Sequence, residues 1–365
     1  MKKKLLIVGS FPKKPIFGGI QHSCKLIITS SFFSHFKLIP FDSSQISNPP
    51  PNFIVRLIYA NIRILRFVYN LIIERPKVSL IFCSDGFSAL EKGVMVYLSN
   101  FFGVKALIFP RAGNLINQVN EYLFFKHLIK ILFKKATLFL AQGEKWNTFA
   151  QDTLEFPIES IKIIHNWSAT KELIKIGYSR TYDNKDITKF LFVGWFEKEK
   201  GVYELLESIK LLSDKNLPFS ITIIGNGNAM YDAQRFVNEN QLTEKVIFEG
   251  WVPNDDIYEY YNSADIFVLP SWQEGMPNAL IEALSCGLAS IVTNVGMIPN
   301  YLQNELNAII IPPKDSLTLY LAMEKLIMDK KLKVSISTNG HKLAKKYFNT
   351  EKGLESLSDK INSLM

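Results

Sequence analysis

The sequence predicts an α/β chain built as two domains, and three observations carry that prediction. Short apolar, β-branched runs alternate with helical stretches along the chain, the pattern of parallel βαβ units. A polar, charged and aperiodic stretch at 178–189 interrupts the alternation near the middle and reads as an interdomain linker. The length, 365 residues, suits two domains more readily than one. Hydrophobic residues make up 47% and charged residues 21%, which is enough apolar material for two cores and excludes a disordered chain.

In the first half, residues 4–9 form a buried strand, and Gly18-Gly19 lie in the loop after it. Two glycines there let backbone N–H groups approach a ligand closely, although a plain loop would use them too. Helix follows at 21–31, strand at 36–41, and a loop at 43–52 with three consecutive prolines. Residues 53–74 form a long helix on which Arg56, Arg63, Arg66, Asn70 and Glu74 share one narrow face among Ile, Leu, Val, Phe and Tyr. Such a helix either packs on a sheet with a narrow wet stripe or lays arginines on phosphates at a bilayer surface. Residues 121–135 repeat the theme, with Lys126, Lys130 and Lys134 on one face. Strands at 78–83 and 106–109 end in polar loops carrying Asp85 and Arg111, and ligands bind at such carboxyl ends. Arg111 is a candidate contact for an acceptor or donor phosphate, or else a partner of Asp85. Further strands lie at 137–141 and 161–164.

After the linker, strand 190–194 leads through WFEKEKG to a helix at 202–214, with Lys200 placed to set an ammonium beside phosphates. Strand 219–224 ends in Gly225-Asn226-Gly227. Met230 stands where a dinucleotide fingerprint needs its third glycine, so an oxidoreductase is poorly supported. Strands at 245–248 and 266–269 follow, with Asp255-Asp256 as expected helix caps. The stretch SWQEGMPNALIEALSCGLASIVTNV, at 271–295, reads as loop, helix and strand. Glu274 and Glu282 lie eight residues apart, with Gly275, Met276, Pro277 and Asn278 between them at the helix start. Gly275 admits a ligand to the backbone, and Pro277 suits the first helical turn. The N–H groups there suit a phosphate or sugar oxygen. Glu274 could accept from sugar hydroxyls and Glu282 from a ribose, although acids near a helix start also serve the dipole alone. A strand at 309–311 and helices at 316–328, 335–347 and 350–364 complete the chain.

Charge is uneven. Residues 1–170 carry 21 basic and 9 acidic side chains, so +12, while 171–365 carry 21 and 25, so −4. A basic first half suits an anionic partner, nucleic acid or an anionic membrane surface among them. Three scattered cysteines fit a reducing cytosol and argue against a disulfide framework or a zinc site. No two histidines stand at metal spacing and no Asp-x-Asp occurs, so no metal is expected. The start imitates a signal peptide, but its apolar run is too short, and no run of about 18 apolar residues suggests a membrane span.

The ordered set FVGWFEKEKG, the strand–GNG turn, VIFEGWVPNDDIYEYYNSADIFVLPS, the Gly18-Gly19 loop and the E-x7-E spacing of Glu274 and Glu282 resembles the retaining glycosyltransferases of family 4. The resemblance covers most of the chain and is strongest in 190–300. It implies a GT-B fold, two Rossmann-like domains facing across a central cleft. The acceptor domain would be 1–175, joined by the terminal helix 348–365, and the nucleotide-sugar domain 189–347. It implies a hexosyltransferase that uses a UDP- or GDP-sugar and no other cofactor or metal. Sugar would pass to a saccharide or lipid-linked acceptor in cell-surface polysaccharide, lipopolysaccharide or glycolipid synthesis, with no nucleic acid involved.

The resemblance also assigns residues. Lys200 would contact the diphosphate, Glu282 the ribose, Glu274 with the backbone of Gly275, Met276, Pro277 and Asn278 the donor sugar, Gly19 the phosphates, and Val252 the base. Catalysis would rest on Glu274, Lys200 and Arg111, and acceptor binding on Arg111 and Asp85. Trp195 stands where many members have an arginine, and Arg111 where many have a histidine. The protein would be cytoplasmic, peripheral at the inner face of a membrane. A sugar-nucleotide epimerase of similar fold and a non-catalytic membrane-surface protein are the alternatives.

Overall fold

The computed structural model describes residues 2–11, 18–44, 51–181, 187–253 and 256–365. The expected cap Asp255, most of the proline loop and the middle of the 178–189 stretch lie outside them. Packing divides the chain into two units, residues 1–167 with 351–365, and residues 168–350.

The first unit runs β1 (Lys3–Gly9), α1 (Gly19–Thr29), β2 (Phe36–Asp42), α2 (Phe53–Glu74), β3 (Val78–Cys83), α3 (Gly86–Phe101), β4 (Lys105–Pro110), α4 (Asn114–Glu121), α5 (Leu123–Phe133), β5 (Leu138–Ala141), α6 (Glu144–Thr148) and β6 (Ile161–Ile163). The strands pair in parallel in the order β2-β1-β3-β4-β5-β6. Strands covered on both faces need apolar side chains on both, which is why β3 reads VSLIFC with every residue buried. Leu5, Ile7, Leu80, Phe82, Leu107 and Phe109 meet Trp167 in one core. Leu354, Leu357 and Ile361 of the terminal helix α15 (Thr350–Asn362) close it.

Two helices of this unit depart from expectation. α2 does not bury a broad apolar face. Phe67 and Leu71 are its only fully buried side chains, while Ile54, Leu57, Ile58, Ile62, Leu65, Tyr69 and Ile73 are exposed. Part of its arginine stripe turns inward: Arg63 pairs with Glu91 of α3 at 2.6 Å, and Arg66 lies over the Phe41 ring. The segment expected as one helix over 121–135 breaks at Tyr122, whose extended backbone (φ −112°) separates α4 from α5. Leu123 and Phe124 just beyond the break are exposed.

The second unit runs α7 (Lys171–Ser179), β7 (Thr188–Val193), α8 (Val202–Asp214), β8 (Phe219–Ile224), α9 (Met230–Glu239), β9 (Val246–Gly250), α10 (Ile257–Ser263), β10 (Ile266–Leu269), α11 (Asn278–Ser285), β11 (Ala289–Thr293), α12 (Ile298–Tyr301), β12 (Ile309–Ile311), α13 (Ser316–Met328) and α14 (Lys330–Tyr347). The sheet order is β12-β11-β10-β7-β8-β9, again all parallel. α7 packs on α11 and α14. Beyond it, Arg180 donates to the carbonyls of Cys286, Ala264 and Tyr261 at 2.6–2.7 Å, which fixes the start of the 178–189 stretch to this unit. Side-chain caps start several helices: Thr170 for α7, Asp315 for α13 and Asp329 for α14. Asp256 precedes α10 without a side-chain hydrogen bond to it, so it does not act as a cap.

Candidate active site

Both sheets reverse their winding once, and ligands of doubly wound folds bind at that point, outside the carboxyl ends of the strands. In the second unit the reversal lies between β7 and β10. The two stretches expected to hold a nucleotide sugar leave the sheet there, 194–200 after β7 and 270–277 after β10. Gly201, at φ 70°, turns the chain from Lys200 into α8. A Cβ there would lie 2.1 Å from the Pro270 carbonyl oxygen, so the two loops are in backbone contact. The Trp272 amide donates to the Glu199 carbonyl at 2.8 Å and locks them further.

Across that contact Lys200 Nζ donates to Glu274 Oε1 at 2.6 Å, and Ser271 Oγ donates to the same oxygen at 2.8 Å. The Glu274 side chain is 9% exposed and Lys200 26%, so the pair is shielded without being sealed from solvent. Thr293 Oγ1 donates to the Ser271 carbonyl at 2.6 Å, and the Met297 amide to the Gly275 carbonyl at 3.0 Å. These bonds pin the loop from the neighbouring strand end. α11 then starts with neither a side-chain cap nor an acid in its first turn, and its dipole leaves positive potential beside Glu274. Pro277, expected inside the first turn, is the residue that precedes the helix. Its extended backbone (φ −70°, ψ 129°) sets the entry angle.

Glu282 lies on α11, half-buried, and Tyr261 Oη donates to its Oε2 at 2.9 Å. Tyr261 is wholly buried, and burial with the Glu282 charge drives its phenol well above the usual range, so it acts only as a donor. The structure thus brings Lys200, from the loop after β7, against the loop after β10 that carries Glu274, Gly275, Met276 and Pro277, with Asn278 and Glu282 on the helix that continues it. Val252 follows the edge strand β9, half-buried, and Trp195 follows β7, exposed. Sequence reasoning missed Ser271 and Tyr261, the residues that hold the two glutamates. A serine after the Pro that ends a strand was the one visible signal; Tyr261 looked like an ordinary core aromatic.

In the first unit the reversal lies between β1 and β3. A cavity of about 780 Å³ opens there, lined by Gly9, Ser10, Gly19, Ser84 and Asp85 and by one face of α2. Asp85 accepts from Asn114 Nδ2 at 3.1 Å. Arg111 takes neither Asp85 nor the cavity wall. Its Nη2 donates to Ser23 Oγ at 3.0 Å, and its guanidinium lies 5.0 Å from the ring centres of Phe109 and Trp167. Burial pulls its pKa down to about 10, still charged at neutral pH, and its Nη1 is buried without a hydrogen-bond partner. Close by, burial pushes the Cys24 thiol up to about 12, so that side chain stays neutral. Among the described residues no three His, Cys, Asp or Glu side chains group at metal-holding geometry, and no helix is long and apolar enough to cross a membrane.

Comparison with known proteins relates part of this chain to a family. Residues 180–343 match the glycosyl transferases group 1. The second unit therefore carries a glycosyl transferases group 1 domain, and Lys200, Glu274 and Glu282 lie within it. TuaC of Bacillus subtilis, named for teichuronic acid biosynthesis, is 32% identical over 217 residues, 59% of this chain and 51% of that protein. An Escherichia coli UDP-Gal:alpha-D-GlcNAc-diphosphoundecaprenol alpha-1,3-galactosyltransferase is 31% identical over 173 residues, 47% of this chain and 44% of that enzyme. The chain spans about half the length of the curated relatives it matches. The crystal structure of Anabaena Alr3699/HepE in complex with UDP superposes with a TM-score of 0.71, covering 99% of this chain and 100% of that one at 14% identity. At that identity the likeness is one of fold, and the fold is GT-B.

Proposed function

We propose that this chain is a retaining glycosyltransferase of family 4. It moves a hexosyl-type sugar from a UDP- or GDP-sugar to a saccharide or lipid-linked saccharide in capsule, lipopolysaccharide or glycolipid synthesis. The observation that carries the reading is the Lys200–Glu274 pair at the open start of α11, at the winding reversal of a glycosyl transferases group 1 domain. The relatives named for polysaccharide and lipid-linked sugar synthesis support the substrate class.

In this reading the donor diphosphate takes its charge partners from Lys200 and the α11 N-terminus, which act most strongly as the leaving group gains charge. Glu282, aimed by Tyr261, accepts from the ribose. Glu274 and the backbone from Gly275 to Asn278 hold the sugar. Val252 lies beside the base. The bond from the anomeric carbon to the diphosphate oxygen breaks, the acceptor oxygen bonds to that carbon from the same face, and the acceptor hydroxyl's proton passes to the departing diphosphate oxygen. Arg111, with a buried and unpartnered Nη1, contacts the acceptor together with Asp85. No metal takes part, because cationic and helix-terminal groups supply the positive charge. Trp195 removes one cationic diphosphate contact and leaves Lys200 the larger share.

The acceptor is presented at the inner face of a membrane. The +12 charge of residues 1–170 and the exposed apolar side chains of α2 and α5 support this. Anionic vesicles at low salt should carry the protein in flotation, and neutral vesicles should carry less; equal, negligible binding to both would remove the membrane from the proposal.

The deciding experiment is a thermal-shift series with UDP, GDP, ADP and their sugars, with and without EDTA. Stabilisation by one nucleotide, undiminished by EDTA and lost in Glu282→Ala, is the expected result. No shift with any nucleotide overturns the donor assignment. Conversion of a nucleotide sugar without any acceptor would favour the epimerase.

A further inference from the structure

The cavity of the first unit contains a charge arrangement that the donor chemistry does not use. Arg63 on α2 and Lys92 on α3 share a single carboxylate, that of Glu91. Arg63 donates through Nε at 2.6 Å and Nη2 at 2.9 Å, and Lys92 Nζ donates at 3.2 Å. Lys92 is 3% exposed. Two cations on one anion leave a positive charge at a buried place, and such a charge is costly unless something completes it. Burial accordingly holds the Lys92 ammonium below the usual lysine range. All three residues line the 780 Å³ cavity, and Arg56 lines it too, over the Phe87 ring. The rest of that wall is largely apolar, Leu57, Ile64 and Phe87 among it. Gln21 Oε1, on a residue lining the same cavity, is a buried acceptor without a hydrogen-bond partner. The cavity lies at the winding reversal of its sheet, where this architecture binds ligands.

We propose that the cavity binds a lipid phosphate, with the phosphate on Lys92 and Arg63, the hydrocarbon chain along Leu57, Ile64 and Phe87, and a head-group hydroxyl on Gln21. A phosphate ester brings negative charge to the two cations that share Glu91, since the other carboxylate lining the cavity, Asp85, accepts from Asn114 and makes no ion pair with them, and the apolar wall accepts a chain that a sugar or free phosphate lacks. That this ligand is the acceptor's carrier rests on the transferase reading; the site itself rests on the cavity. A purely structural ion cluster tying α2 to α3 is the competing account, and the two predict opposite effects of removing the lysine.

Calorimetric titration of the full chain with farnesyl phosphate, farnesol and inorganic phosphate, each below its aggregation limit, tests the site without any donor. Farnesyl phosphate should bind at least tenfold more tightly than either fragment. Lys92→Met should weaken farnesyl phosphate about tenfold or more, leave farnesol unchanged, and melt no lower than the wild type, because it removes an undercompensated buried charge. Ala60→Trp, which fills the cavity from α2, is the second variant and should abolish farnesyl phosphate binding. A Lys92→Met protein that melts lower and binds farnesyl phosphate like the wild type would establish the structural cluster and overturn the site. Equal affinity for inorganic phosphate would make it a site for free phosphate and overturn the lipid. Farnesyl phosphate that fails to bind a protein still stabilised by UDP would sink this inference and leave the transferase standing. Binding without any nucleotide response would do the reverse.

Discussion

Glu282 and Tyr261 show how a single hydroxyl can set the reach of a carboxylate. Tyr261 is fully buried and donates to Glu282 Oε2 at 2.9 Å, with the Ala279 carbonyl a longer second acceptor at 3.4 Å, so Tyr261→Phe removes the hydroxyl and keeps the ring packing. A hydrogen bond to a charged group is worth about 1.5–3 kcal/mol. The variant should therefore lose roughly tenfold or more in nucleotide affinity while keeping its fold, read by titration with the nucleotide that stabilises the wild type. Unchanged affinity would show that Glu282 needs no such partner. Lys200→Met should cost more, because it also strands the shielded Glu274 carboxylate with only Ser271 as donor; a fall in kcat/KM of about 100-fold or more is expected. The glutamates and Lys200 were legible because their roles follow from local position: a loop, a helix start, a strand end. Their supports were not, since Tyr261 lies 21 residues before Glu282 and meets it only through the packing of α10 on the sheet. Arg111 was legible as a residue of interest but not in its surroundings. Nothing local says that it turns to Ser23 and two aromatic rings in place of Asp85.

At the scale of elements, the loop between β10 and α11 owes its shape to a neighbour. Gly296, after β11, has φ 61°, and a Cβ there would stand 2.0 Å from the Glu274 carbonyl oxygen and 2.7 Å from that of Gly275. Gly296→Ala is strained in backbone and blocked in space, so it should destabilise the second unit by about 2–4 kcal/mol. It should also depress turnover more than a remote change of equal stability cost, because the displaced atoms carry Glu274. Equal turnover in the two variants at a temperature where both are folded would show that the loop is not held by this contact. The twelve strands of the described residues were readable as apolar runs, because a buried parallel strand has little freedom of composition, and so were nine helices; α3, α4, α6, α7, α9 and α12 were not assigned from the sequence. α2 was the element least readable. Its periodicity told which residues share a face but not which face is covered, and the structure turns Arg63 inward while leaving Ile54, Leu57 and Leu65 outside. The same limit hid the break at Tyr122, which costs one turn of helix and carries no Gly or Pro to announce it.

Over the whole molecule, two parallel sheets of six strands were legible as a fold class, whereas the strand orders were not, since register and neighbours depend on long-range pairing. One property shared by both units is acid sensitivity, and its sign follows from burial. His341, packed in the second unit under the Tyr178 ring, sets Nδ1 2.7 Å from the Ser285 carbonyl, and its Nε2 is buried without a partner. Burial lowers its pKa, and the nearby Lys345 lowers it further against the opposing carbonyl contact. His165 in the first unit shifts the same way for the same first cause. For both, the folded pKa lies below the unfolded value of about 6.5, so between the two the unfolded chain binds more protons. The stability they contribute is therefore complete above about pH 6.5–7 and is lost as pH falls through the window beneath it. Glu155, between Lys130 and Lys134, is held at about 2 and so titrates below this window. Melting temperature should drop between pH 7.5 and 5.5, by about 2–4 °C for each kcal/mol lost in a unit of this size. In His341→Asn, whose amide nitrogen stands where Nδ1 meets the Ser285 carbonyl, the drop for the second unit should shrink. An unaltered slope would mean that His341 becomes charged in place, with water reaching Nε2 before the unit unfolds.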